Sequence, residues 1–203
     1  MGILRIAVED SVRVEAASAR VHLSVKGGST VFGNAATKQA AEVRELVRAL
    51  AAAGIAEEAI EVTGVRLDSR GGFGKSKAEY LLVVAAELDQ LPGVLGVLAD
   101  QPVTLSELEW VFDSFEASIP ATANALAQAR RKAEAIAAAA GSQIAGIAMI
   151  SDSWNLPTAR VAFEATDSAA VFRSAKSAPI DLGVEISATQ ELYVHLTVDF
   201  ELS

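Results

Sequence analysis

Ser69, Arg70, Gly71, Gly72, Phe73, Gly74, Lys75 and Ser76 are the stretch closest to a chemical motif, a phosphate-binding loop ending in Gly-Lys-Ser. Such a loop works by opening a helix whose N-terminal amides face the anion. Here Ser69 occupies the place of the first glycine, and residues 79–88 read as a strand, so a glycine-rich hairpin tip is expected instead. His22 and His195 are the two imidazoles, each on the polar side of an alternating segment. If the first and last strands paired, the two rings could approach each other, with Asp199 or Glu201 as a carboxylate ligand for a divalent metal. Two histidines on a wet sheet face are more commonly solvated. Glu57 and Glu58 fall in a turn and Glu107 and Glu109 in a strand, which makes no sheltered acid and base pair. No serine sits in a Gly-x-Ser-x-Gly elbow. The absence of cysteine excludes disulfides, thiolate metal sites and cysteine nucleophiles. Arg130, Arg131 and Lys132 form one basic knot and Arg70, Lys75 and Lys77 another, both read as surface charge, with Glu134 one turn from Arg130. No catalytic, cofactor-binding or metal-ligating residue is assigned.

The elements that carry these residues follow from periodicity. Ala36, Ala40, Val43, Val47 and Leu50 make the apolar stripe of one helix, with Asn34 as its cap and Gly54 beyond its end. Leu126, Ala129, Ala133, Ile136 and Ala140 make a second, capped by Ser118, with Pro120 in its first turn and Gly141 at its end. A shorter helix spans about residues 89–98, weakened by Pro92 and Gly96. Leu192, Val194, Leu196, Val198 and Phe200 alternate with polar residues, the pattern of a strand with one buried and one wet face. Val21, Leu23 and Val25, and before them Leu4, Ile6 and Val8, share that spacing. Residues 80–86 are continuously apolar and predict a central strand covered on both faces. Residues 103–115 lose phase around Glu107 and residues 60–67 across Gly64, each suggesting a bulge. Trp110 and Trp154 are expected as partly buried anchors. Residues 157–179, rich in Ala, Ser and Thr, read as a variable loop or arm.

The order is strands, helix, strand pair, helix, strand, helix, strand, strand. This is an α+β fold: a mostly antiparallel sheet with two long amphipathic helices and one short helix packed on it. At 203 residues the chain fits one domain, or two small subdomains sharing a core. Its net charge of -9 repels phosphate backbones, so no nucleic-acid partner is expected. The longest apolar run ends at Glu87 and Asp89, short of the about 18 residues that cross a bilayer. The first residues are too acidic for a signal peptide, which reads as cytoplasmic, or periplasmic or secreted if a leader has been removed.

Residues 129–141, Ala-Arg-Arg-Lys-Ala-Glu-Ala-Ile-Ala-Ala-Ala-Ala-Gly, resemble the helix signature of the SIMPL-domain family, a group of unknown function that includes periplasmic immunogenic proteins. Residues 46–60 look like that family's first helix and its exit, and residues 198–202 are similar to its closing strand. Its first residues do not read as the signal peptide with which many members begin, and Gln190 and Glu191 stand where a glycine often precedes the closing strand. The resemblance implies an α+β fold, ring-like assemblies in some members, and links to the cell envelope, stress tolerance or signalling. It brings no catalytic residue.

Three functions fit these observations. The leading one is a non-enzymatic, homo-oligomeric structural or interaction protein, extended by strand addition. The alternative is a small-molecule-binding module with an apolar pocket between helices and sheet. The third is a hydrolase or metal enzyme using His22 or His195.

Overall fold

The computed structural model of the chain describes residues 2–29, 35–68, 76–158, 160–162 and 189–203. The proposed Asn34 cap, the 69–75 loop and most of the 157–179 segment lie outside them. The described elements are β1 (Gly2–Glu15), β2 (Ser18–Ser29), α1 (Ala35–Ala52), β3 (Ile60–Asp68), β4 (Ser76–Glu87), α2 (Leu91–Ala99), β5 (Val103–Val111), α3 (Ser114–Ala139), β6 (Ile144–Asn155), β7 (Arg160–Ala162) and β8 (Thr189–Leu202). They form an α+β fold in which every strand pairing is antiparallel. The strands build two sheets, of order β1-β8-β6 and β3-β4-β2-β5-β7, where one was expected. The chain divides accordingly into two compact units. The first comprises residues 1–16, 112–158 and 187–203, and the second residues 17–111 and 159–186.

In the first unit, β8 is the central strand, as its alternation requires. Leu192, Val194, Leu196, Val198 and Phe200 are all buried, and β1 pairs along its whole length from Gly2↔Leu202 to Glu15↔Thr189. Over this sheet lies α3, whose buried stripe is Ala121, Ala125, Ala129, Ala133 and Ala137. Residues four apart form one ridge of a helix. Because each ridge position carries only a methyl group, the backbone can come close enough for Ile6, Leu196, Val198 and Phe200 of the sheet to fill the layer. The observed stripe is rotated from the expected one: Leu126 is half-buried, while Ile136 and Ala140 are exposed. The start also differs. Asp113 is the cap, accepting a hydrogen bond from the Glu116 amide at 3.2 Å, and Ser118 lies inside the helix with its hydroxyl donating to the Phe115 carbonyl at 2.7 Å. An Asp followed three residues later by Glu is a stronger start signal than Ser118. Pro120 then falls in the second turn, where the helix tolerates it because its ring withdraws only the partner of the Glu116 carbonyl.

In the second unit, Val43, Leu46 and Leu50 of α1 and Leu91, Val94 and Leu98 of α2 pack on Val21, Leu23 and Val25 of β2, Leu82 and Val84 of β4, and Leu105 and Leu108 of β5. Central β4 was expected to be covered on both faces. It is covered on one: Leu82, Val84 and Ala86 are buried, Leu81 and Val83 are half-buried and Ala85 is exposed. An apolar run satisfies a sheet whose outer face is shielded only by neighbouring side chains. The two expected bulges are present. Thr63 is the extra residue beside Gly64, and Ser106 the extra residue beside Glu107. Trp110 packs against this core and is half-buried.

Both long helices end alike. Gly54 and Gly141 adopt φ of 91° and 72°, the left-handed region that disfavours a Cβ. The next amide returns to the helix in each case, Ile55 to the Leu50 carbonyl at 3.1 Å and Ser142 to the Ala137 carbonyl at 2.9 Å.

The close approach of α3 yields a direct test. Ala129→Leu overfills the helix-sheet layer and lowers unfolding free energy by ~2 kcal/mol, whereas Ala135→Leu, on the exposed side, changes it by less than about 0.5 kcal/mol. Denaturant unfolding of the two variants separates a close-packed stripe from a merely apolar one.

Candidate functional site

Alternation in β2 sends Val21, Leu23 and Val25 into the core and Arg20, His22, Ser24 and Lys26 to the opposite face of the five-stranded sheet. Register places the partners. Arg20 lies across from Glu109, His22 from Glu107 and Ser24 from Thr104 on β5, while Ser24 faces Leu81 and Lys26 faces Glu79 on β4. Two ion-paired groups result. At one end, Glu109 is shared by Arg160 Nη2 at 3.1 Å, His22 Nε2 at 3.4 Å and Arg20 Nη1 at 3.9 Å, and Arg160 Nε also reaches Glu107 at 3.4 Å. Arg160 thereby fixes the three-residue β7 to β5. At the other end, the two oxygens of Glu79 meet Lys26 Nζ at 3.5 Å and Arg66 Nη1 at 3.8 Å. Between them is a recess of about 350 Å³, lined by His22, Ser24, Thr104 and Ser106 as well as the Glu79 group. The Ser106 hydroxyl donates to the main-chain carbonyl of His22 at 3.0 Å, not to its ring, so it does not form the nucleophile-base bond of a hydrolase triad. The face is equipped to hold a polar guest by charge and hydrogen bonds.

The three-stranded sheet has its own polar face. Arg5 Nε and Nη2 each donate to a different oxygen of Asp199 at 2.7 Å, a bidentate pair directly across β1 and β8. This guanidinium holds the Asp199 carboxyl below its ordinary range, by hydrogen bonding first, against desolvation. His195 Nδ1 stands 3.2 Å from Glu9 on the same ladder, and the Tyr193 hydroxyl donates to Glu191 at 2.7 Å, which raises its pKa.

The first and last strands do pair, yet His22 and His195 are not brought together by it. His22 belongs to β2 in the other sheet, and each imidazole has its own carboxylate partner. Asp199, expected near them as a ligand, is taken by Arg5. Among the described residues no group of three or more His, Asp or Glu side chains could hold a metal ion. The Arg130 to Glu134 pair forms as the spacing predicts, at 3.1 Å. Sequence reading missed the recess, because Ser24, Arg66, Glu79 and Thr104 meet only through strand register. Its one advance signal was the wet side of β2.

Asp199 carries a pH dependence with a defined sign. A depressed folded-state pKa contributes stability above the unfolded value near about 4 and loses it as pH falls through the lower, folded value. Arg5→Gln is therefore expected to unfold more easily than the parent at pH 7, with the difference shrinking below about pH 4. Chemical denaturation at both pH values reads it, and a difference that persists unchanged in acid contradicts the pairing.

No curated protein matches the chain. Residues 5–200, nearly its whole length, match the SIMPL family, described as a protein of unknown function (DUF541), and the chain belongs to that family.

Proposed function

We propose that this SIMPL protein is a non-enzymatic, self-associating structural or interaction protein, and that a second copy adds to it along β6. The single observation supporting this reading is the character of that edge. β6 closes the three-stranded sheet on one side, and beyond Ile144 and Gly146 every residue of it is exposed. Because α3 lies chiefly over β1 and β8, the helix-facing side of β6 is left open, with Ile147, Ile150 and Trp154 exposed there and Met149 on the opposite side. Phe115 and Ile119 of α3 extend this apolar area, Phe115 meeting Trp154 edge-to-face at 6.1 Å.

Edge strands are ordinarily protected by charge, proline or brevity. The opposite edge, β1, carries Arg5, Glu9, Asp10, Arg13 and Glu15, whereas β6 carries Asp152 alone in twelve residues. In a chain of net charge -9, an almost uncharged strand is the edge along which two copies can meet with least repulsion. Its bulges at Ala145 and Ala148 leave residues 149–155 in regular register and available for pairing.

Light scattering and native mass measurement are expected to find a multimer at micromolar concentration, reduced to monomer by Ile150→Lys with the fold retained. A strict monomer at high micromolar concentration removes the proposal.

A further inference from the structure

We infer that the recess on the polar face of the five-stranded sheet is a binding site for a small monoanionic hydroxy-carboxylate. Its floor supplies the first argument. Ser24 sits mid-strand between Leu81 and Thr104 with only 4% of its surface exposed, and its hydroxyl makes no hydrogen bond to a described residue. No described side-chain oxygen is both fully buried and unpartnered, so this hydroxyl keeps an opening through which a polar partner can reach it. The recess is where such a partner can enter, since Ser24 lines it together with His22 and Thr104. His22, which also lines the recess, is held by Glu109 through Nε2 at 3.4 Å.

Charge supplies the second argument and sets the ligand class. Lys26 and Arg66 bring two positive charges to one wall, and Glu79 offsets one of them. One positive charge remains, in a chain whose net charge is -9. A carboxylate neutralises it, with Lys26 and Arg66 as charge-assisted donors. A phosphate carrying nearly two charges overshoots and is repelled by Glu79. Hydroxyls beside the carboxylate match the serine, threonine and imidazole groups of the floor. A volume of about 350 Å³ suits a molecule of that size.

The inference is independent of self-association and is tested with D-gluconate as probe, against sorbitol for the same hydroxyls without charge and inorganic phosphate for the dianion. Amide NMR shifts and calorimetry are read on the full chain. Gluconate is expected to shift the Ser24, Thr104 and Arg66 amides at millimolar concentration. Sorbitol and phosphate are expected to bind at least about tenfold more weakly. Arg66→Gln, at a residue largely in solvent, and Ser24→Val, which fills the floor, are each expected to weaken gluconate binding about tenfold. The first variant keeps the test valid if the second folds poorly. No shift at the recess with millimolar gluconate, equal binding of sorbitol or phosphate, or unchanged binding by Arg66→Gln overturns the inference.

Discussion

The fourteen-residue ladder between β1 and β8 joins the two ends of the described chain, and the first unit exists only because it closes. Its three segments are separated by long stretches of sequence, so the entropy of bringing them together must be met by what they bury. The alanine ridge of α3 makes that burial effective. With methyl groups on the helix and Phe200, Leu196, Val198 and Ile6 on the sheet, bulk comes from one layer and close approach from the other. The arrangement also fixes what stays open. A helix seated chiefly over β1 and β8 leaves most of β6 uncovered.

Charge is distributed along the same lines. The wet face of the three-stranded sheet spends its charges across the β1-β8 ladder, as Arg5 with Asp199 and Glu9 with His195. The five-stranded sheet gathers its charges into two groups around Glu109 and Glu79. Between these lies the hydroxyl-lined recess, and β6 is left nearly without charge. The molecule thus has a paired face, a receptive face and an apolar edge. Membership of the SIMPL family says nothing about which of these carries function. No helix is long and apolar enough to cross a membrane, among the described residues.

Much of the fold was legible because periodicity is local. The alternation of β8, the glycine-terminated ends of α1 and α3 and the phase shift at Gly64 each follow from neighbouring residues, and each is observed. What was not legible depends on distance along the chain. Nothing in residues 4–8 and 21–25 indicates that the two strands join different sheets. The start of α3 was misplaced because Ser118 and Pro120 imitate a helix start, while the effective cap is Asp113 with Glu116. Of the candidate site, the wet side of β2 could be read directly. Pairing of Lys26 and Arg66 on one carboxylate, and the burial of Ser24, arise from register across three strands.

Concentration-dependent hydrogen exchange examines β6 as an assembly edge, strand by strand. Amides of residues 149–155 that face away from β8 should exchange rapidly in dilute protein and become protected as concentration rises, while the charged β1 edge remains unchanged. Exchange along β6 that is the same at low and high concentration would contradict the account.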